Sequence, residues 1–452
     1  MERVVVIGGV AAGMSAASQL RRMNKEVEIV VFEKGTDVSY SACGMPYYLS
    51  GTVSSKEELI ARTVNQFEER NIIVHTQYEV KEVNHTKKYI LAEHTQTNQV
   101  MQMTYDKLVI ATGASAIQPP FLPKEASNVF SLKTLEDSEN IHQYLKKNRV
   151  ENVTIIGGGY VGIELVETMR LLGKQVRLIE RGDHVLSILD KEMAAYIQEQ
   201  LKEEAIFHFN ENVEGLVEVE GKVNSVQTNQ GVYKTDLVIV NVGIKPNTSF
   251  VERNGLRMLD NGAIIINDKM ETNVPDIYAA GDCATSYHRV LQKNVHIALG
   301  TIANKQGRIL GYRLGGENRT FPGVLGTSVV KVMDLEIAKT GISGKEAKEA
   351  NINYKTVTTK AVNHASYYPG SEEIMIKLVY DANTMVILGA QMVGKDGVAK
   401  RIDVFATAIT AQLTAEQMTM LDLSYAPPFA TVWDAVQFAT QKVKPSVGLH
   451  PH

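Results

Sequence analysis

Cys43 stands in the stretch Ser39-Tyr-Ser-Ala-Cys-Gly-Met-Pro-Tyr-Tyr48, and the chain has only one other cysteine, Cys283. A thiol that exchanges two electrons needs either a second sulfur, as in a mixed disulfide with a small thiol, or an oxygen, as in a sulfenic acid. Cys283 follows Gly281-Asp282 after the apolar run Ile277-Tyr-Ala-Ala280, a place where a cysteine packs as a small hydrophobe. Cys43 is therefore expected to act alone, and a second sulfur, where there is one, belongs to the substrate. Ser-Ala-Cys-Gly-Met-Pro-Tyr-Tyr-Leu reads as the opening of a short helix, a setting that moves a thiol toward its thiolate.

Two segments would have to position such chemistry, and they repeat one plan. VVVIGGVAAGMSAASQL near the N-terminus and VTIIGGGYVGIELVETM from residue 153 each place a β-branched run before a glycine cluster and a small-residue helix pattern. Each then returns to a strand that ends in an acid, Glu33 or Glu180, which lie 25 and 23 residues beyond Gly8 and Gly157. That is close to the ~20 residues at which a carboxylate meets an adenosine ribose. Gly157, Gly159 and Gly162 complete G-x-G-x-x-G; the first copy keeps Gly8 and Gly13 but has Val10 in the middle, so Gly9 must assist the approach of a pyrophosphate. Glu180 favours the free 2′-hydroxyl of NADH, while Arg181 beside it leaves NADPH open.

The length of 452 residues implies two or three domains. A 22% charged fraction and a formal net charge of -4 give no polyelectrolyte character, so nucleic acid is not an expected partner. No apolar run reaches the ~18 residues of a membrane span, and no signal peptide or metal site is expected. Two cysteines cannot form a disulfide framework, which suits a reducing compartment; the expected location is cytoplasmic. The character of the sequence changes near Phe321, where strands with turns precede a long helix pattern, residues 400–421, and the tail after Val443 looks loose.

The two glycine units, Ala111-Thr112-Gly113, the GxxPN run 243–247 and Gly281-Asp282 together resemble the two-dinucleotide flavoprotein disulfide reductase family across essentially the whole chain. The resemblance implies an α/β fold with two Rossmann-like domains and a C-terminal α+β dimerisation domain. It assigns 1–148 and 268–320 to FAD, 149–267 to NAD(P)H and 321–452 to dimerisation. By the same likeness Gly8, Gly13, Glu33, Thr112, Gly113, Gly281 and Asp282 serve FAD, and Gly157, Gly159, Gly162 and Glu180 serve NADH or NADPH. Tyr160 matches an aromatic that covers the flavin until nicotinamide displaces it; its ordinary alternative is a packed tyrosine.

The SxxxCGxPYxxxG setting of Cys43 is similar to the single-cysteine branch of that family, which includes coenzyme A disulfide reductases, CoA-dependent persulfide or polysulfide reductases, and NADH oxidases and peroxidases. Three features point to the CoA-linked members. Ser15, Gln19, Arg22 and Ser39 match positions that contact CoA, whose phosphates need fixed cationic and hydroxyl donors; the competing reading of Arg21-Arg22 is a solvated basic face. Val10 occupies the site where peroxidases carry a histidine. Tyr367 in NHASYYPGS and Tyr425 in LSYAPPFATVWD match tyrosines that reach the active site from the partner subunit of a homodimer, where a phenol can protonate a leaving thiolate. Ala42 and Trp433 depart from the asparagine and lysine of the pattern.

The implied reaction is reduction of CoA disulfide to two CoA thiols through a Cys43–S–S–CoA mixed disulfide. Persulfide or polysulfide reduction remains the alternative, although many such enzymes carry a rhodanese-like C-terminal domain for which the chain is too short. An NADH oxidase cycling Cys43 sulfenic acid and an electron carrier that does not use Cys43 also remain open.

Overall fold

The structure, a computed structural model, describes residues 1–123 and 125–444, so the C-terminal tail beyond Lys444 lies outside the described residues. The chain folds as two compact units: Met1–Val150, Ile239–Tyr287 and Lys293–Val324 form one, and Glu151–Val238, His288–Gln292 and Leu325 onward form the other. The segment expected at 149–267 is thus divided at residue 239. The reason lies in pairing: Ile244–Pro246 runs antiparallel to Ala114–Ala116 within the first unit, and Ile264 bridges Ala284 there. Residues from Leu325 onward lie in the same compact unit as 151–238.

In the first unit a five-stranded parallel sheet has the order Ile277–Ala279, Lys107–Ile110, Arg3–Ile7, Glu28–Phe32, Ile72–His75. Its central strand is buried from Val4 to Ile7, as continuous β-branched runs in parallel sheets should be. Helix Ala11–Met23 follows that strand and packs on helix Gly300–Leu314. The contact is built on glycines four residues apart, which share one helix face. A Cβ on Gly307 would lie 2.2 Å from the Ala12 carbonyl oxygen, and one on Gly311 2.7 Å from that of Ala16. Cys283 is fully buried under this layer; its Sγ donates to the carbonyls of Ile110 (3.3 Å) and Ala280 (3.4 Å), and burial pushes its thiol pKa up.

The second unit repeats the plan with parallel strands Asn152–Ile156, Gln175–Ile179 and Ile206–His208 and helix Tyr160–Leu171. It continues into a five-stranded antiparallel sheet in the order Ser328–Val332, Leu335–Gly341, Ile387–Gly394, Glu373–Asp381, Tyr354–Val362, on which helix Val398–Thr410 packs. The two parts are joined by buried charge. Lys377 Nζ pairs with Asp190 at 2.8 Å and with Glu192, while Asp190 also accepts from Gln391 Nε2 (2.8 Å) and Gly344 N–H (3.0 Å). The single helix expected over 400–421 is two: Gln412 takes a left-handed φ of 55°, and Thr414 opens helix Ala415–Thr419 with a capping box to Gln417.

Because the atom facing Gly307 is backbone, relief requires the two helices to part. Gly307→Ala should cost ~1–3 kcal/mol, seen as a lowered melting temperature; an unchanged melting curve would contradict the close helix contact.

Candidate active site

The two glycine loops are built alike, down to individual hydrogen bonds. Gly8 N–H donates to Phe32 O at 2.8 Å, and Gly157 N–H to Ile179 O at 2.9 Å. Glu33 accepts from Gly9 N–H (2.7 Å) on one carboxylate oxygen and from Gly35 N–H (2.8 Å) on the other. Glu180 does the same with Gly158 (2.7 Å) and Gly182 (2.6 Å). Each acid is therefore locked in place, and each oxygen keeps a lone pair for a ribose hydroxyl. Gly8 and Gly157 need φ values of 107° and 104°, and a Cβ on Gly13 or Gly162 would strike the carbonyl oxygen of Gly8 or Gly157.

A nucleotide pyrophosphate fits both loops. Neither helix start has a side-chain cap or an acid in its first turn, so the first N–H groups face outward with no competing carboxylate on the helix. A Cβ on Gly159 would meet nothing within 4 Å, which leaves the approach to the second helix open. At the first helix Val10, at the N-cap position, replaces that opening. Elsewhere in the first unit Asn247 clasps Thr112 and Gly113: it donates from Nδ2 to Thr112 O (3.0 Å) and from N–H to Gly113 O (3.0 Å), and its own carbonyl accepts from Thr112 Oγ1 (2.6 Å). Gly281 has a φ of 82°, and Asp282 is paired with Lys133 at 2.9 Å.

Cys43 is exposed, in the single 3₁₀ turn Ala42–Gly44 that leads into helix Met45–Leu49. Neither cysteine is disulfide-bonded. Two sets of backbone bonds hold this turn. Ser39, in a left-handed conformation with φ 51°, donates its N–H to Gly9 O at 2.9 Å, tying the cysteine segment to the first glycine loop. Ser41 N–H donates to Leu59 O (2.8 Å) and Ala61 N–H to Ser39 O (2.9 Å), so residues 39–41 run antiparallel to 59–61. A Cβ on Gly44 would lie 2.4 Å from Leu59 Cδ2, so a larger residue after the cysteine would require that side chain to shift. Tyr48, five residues on, is an anchor: its buried hydroxyl lies 2.7 Å from Glu139 and 2.6 Å from His142 Nδ1, and burial with Glu139 raises its pKa.

Arg62 follows directly on the paired 59–61 segment and enters a cavity of about 470 Å³ lined by Arg22, Lys25, Arg62, Arg70 and the acid Glu69. Burial lowers the Arg62 pKa first, and repulsion from Arg70 and Arg22 lowers it further. Such a concentration of like charge suits an anionic ligand. Of the Arg21-Arg22 pair only Arg22 is exposed. Arg21 is buried and donates to the carbonyls of Asn24, Lys25, Val27 and Asn71, a structural role. Gln19 is buried and accepts from Arg22 Nη1 at 3.0 Å, and Ser15 donates to Asn304 at 2.8 Å. Arg62 and Arg70 were not among the expected site residues; they lie outside any motif, and only the pairing of 39–41 with 59–61 carries Arg62 toward Arg22.

In the second unit Tyr367 and Tyr425, 58 residues apart, bring their hydroxyls to 3.5 Å. Both are exposed, at 77% and 47%, among other exposed apolar side chains including Phe429, Val432 and Trp433. Tyr160 bonds through its hydroxyl to Ser328, and burial raises its pKa. One turn beyond it on the same helix, Glu164 is pushed up to about 7, by burial first and by Glu167 second. Among the described residues no group of three His, Cys, Asp or Glu is arranged to hold a metal ion, and no helix is long and apolar enough to cross a membrane.

Residues 2–307 match the model of the pyridine nucleotide-disulphide oxidoreductases, and residues 327–436 match the dimerisation domain of the same group. An NAD(P)H coenzyme A polysulfide/persulfide reductase of Pyrococcus horikoshii is 40% identical over 435 residues, with 96% of each chain covered. A coenzyme A disulfide reductase of Staphylococcus aureus is 36% identical over 448 residues, covering 98% of this chain and 100% of its own. A crystal structure of reduced Bacillus anthracis CoADR-RHD superposes with a TM-score of 0.93 at 37% identity, over 97% of this chain and 79% of that one.

Glu164 also has a consequence for stability. Its folded pKa of about 7 lies above the ordinary value of 4.5, so the native state holds this proton more tightly than the unfolded chain. Stability from this group is full below about pH 4.5, falls as pH rises through about 7 and then levels off, a change of a few kcal/mol at ~1.4 kcal/mol per pKa unit. Glu164→Gln should shrink the difference in melting temperature between mildly acidic and mildly alkaline buffer; an unaltered difference would contradict the raised pKa.

Proposed function

The chain belongs to the pyridine nucleotide-disulphide oxidoreductases, and from that premise we propose that it reduces coenzyme A disulfide to two CoA thiols at the expense of NAD(P)H. FAD and a nicotinamide nucleotide are its cofactors, as in the family. FAD would be held by the loop of Gly8, Gly9 and Gly13, by Glu33, by the Thr112-Gly113 segment and by Gly281-Asp282. NADH, favoured over NADPH by Glu180, would be held by Gly157, Gly159 and Gly162, with Tyr160 beside it. Bound flavin supplies the two electrons that return oxidised Cys43 sulfur to the thiolate.

The chain's own residues account for the sulfur chemistry. The Cys43 thiolate attacks one sulfur of CoA disulfide, the S–S bond breaks, and the departing CoA thiolate takes a proton from Tyr425, aided by Tyr367. That leaves Cys43–S–S–CoA. Reduction by two electrons breaks the new bond, releasing the second CoA and restoring the Cys43 thiolate. CoA phosphates are gripped by Arg22, Arg62 and Arg70, with Gln19 orienting Arg22, and Ser15 and Ser39 are assigned to the same ligand by the family likeness. These arginines take over the recognition that Ala42 and Trp433 cannot give. A second copy of the chain supplies the tyrosines, which makes the homodimer the working form. Its support is the match to a dimerisation domain and the exposed aromatic surface around Tyr367 and Tyr425. Two cysteines outside any disulfide fit a cytoplasmic enzyme.

One observation carries the reading: the exposed thiol of Cys43 sits on a segment whose backbone is bonded on one side to the first glycine loop and on the other to the segment that leads into Arg62. The identity with a polysulfide/persulfide reductase favours a second reading in which the same thiolate acts on a CoA persulfide. The ratio of kcat/KM for CoA disulfide to that for CoA persulfide separates the two.

Cys43→Ser should lower CoA disulfide turnover on the order of 10³-fold or more, because the nucleophile is gone. Undiminished turnover would favour an electron carrier, and brisk oxygen consumption without CoA would favour an oxidase. Arg62→Glu should raise KM for CoA disulfide roughly tenfold or more, the value of a lost charge-assisted contact; an unchanged KM would remove the basic cavity from the substrate path.

A further inference from the structure

Tyr367 and Tyr425 lie on separate loops, and both loops meet at one side chain. Arg401, on helix Val398–Thr410 and 11% exposed in its side chain, donates from Nη2 to Asn363 O at 2.6 Å and to Phe429 O at 3.1 Å. Asn363 precedes Tyr367 by four residues, and Phe429 follows Tyr425 by four. The same guanidinium pairs with Asp434, Nη2 to Oδ2 at 2.8 Å and Nε to Oδ1 at 3.1 Å, and Nη1 donates to Gly397 O at 3.1 Å. Asp434 is fixed in turn: its Oδ1 accepts from Val436 N–H at 2.9 Å and it caps helix Ala435–Thr440. Asn363 is held by Asp396 at 2.9 Å and by Glu372 N–H at 2.8 Å. The two loops are also joined by a backbone bond from Ala365 N–H to Pro427 O, at 3.2 Å.

We propose that Arg401, oriented by Asp434, is a positioning residue that sets the spacing of the Tyr367 and Tyr425 hydroxyls and thereby their ability to protonate the departing CoA thiolate. A planar fork is needed for this, since one nitrogen must bond carbonyls of both loops while the others hold Asp434 and Gly397; a lysine ammonium supplies a single point and cannot span them. Both tyrosines are exposed, and among the described residues the Tyr425 hydroxyl is held by its neighbour at 3.5 Å. Their mutual distance therefore follows from where the two backbones are anchored. The clamp rests on the reading of the tyrosines as proton donors given above.

The test is steady-state reduction of CoA disulfide by the FAD-loaded dimer of wild type, Tyr425→Phe, Arg401→Lys and the double variant. Arg401→Lys should lower kcat by about the same factor as Tyr425→Phe, on the order of a hundredfold, with KM little changed. The double variant should be no slower than the slower single one, because both changes act through one group. Reduction of ferricyanide by NADH, which requires no thiolate leaving group, should be retained in Arg401→Lys. A wild-type kcat in Arg401→Lys, a multiplicative loss in the double variant, or a parallel loss of ferricyanide reduction would each overturn the clamp. If Arg401→Lys does not fold, Asp434→Asn serves instead: it keeps the cap and weakens the pair, and a wild-type kcat there overturns the proposal. Wild-type rates in both Tyr367→Phe and Tyr425→Phe would sink the tyrosine reading itself, whereas impaired tyrosine variants beside an unimpaired Arg401→Lys sink only the clamp.

Discussion

The bond from Ser39 N–H to the Gly9 carbonyl, 2.9 Å long, is the constraint on which the cysteine site depends. It requires Ser39 to adopt a left-handed backbone, a conformation worth on the order of 1 kcal/mol of strain for a residue with a Cβ. In return, the loop is fastened to the turn that closes the first parallel strand. Residues 39–41 then have only one direction in which to continue, and their pairing with 59–61 is settled by the same geometry. The cysteine follows two residues later with its thiol exposed, and the arginine of the opposing segment follows one residue after the pairing ends. An exposed thiol and one arginine of a basic cavity thus depend on one short stretch of backbone.

The two nucleotide folds show how far a local plan repeats when the physical demand is the same. Glu33 and Glu180 differ in neighbours, yet each carboxylate takes one N–H from the glycine cluster and one from the residue two positions on. The acid is thereby a structural part of the glycine turn as well as a group available to a ribose. The one divergence is in the middle of the motif, where Gly159 leaves open space and Val10 fills it.

What could be read from the sequence was whatever has a fixed period or spacing. The β-branched runs form central parallel strands, the glycine clusters form the turns that follow them, and Glu33 and Glu180 come directly after the next strands. Contacts that join distant segments through irregular backbone were not legible. Arg62 and Arg70 carry no motif: Arg62 is brought beside Arg22 by the pairing of 39–41 with 59–61, and Arg70 by the pairing of strand Ile72–His75 with Glu28–Phe32. Arg21 and Arg22 look equivalent in the sequence and both border the cavity, but a helix turns adjacent residues to different faces, so Arg21 is buried with its guanidinium spent on backbone carbonyls and only Arg22 is exposed. The apolar periodicity over 400–421 concealed a break at Gln412, since two helices in succession can bury the same stripe. The return of residues 239–267 to the first unit follows from strand pairing, which composition does not reveal.

The central claim is that the redox partner of Cys43 sulfur arrives with the substrate. Intact-protein and peptide mass spectrometry of the oxidised enzyme, before and after NADH, tests it most directly. The account predicts a mass increment of one CoA on the peptide containing Cys43, removed by NADH. A single added oxygen on that peptide, or no modification in the oxidised enzyme, would contradict it.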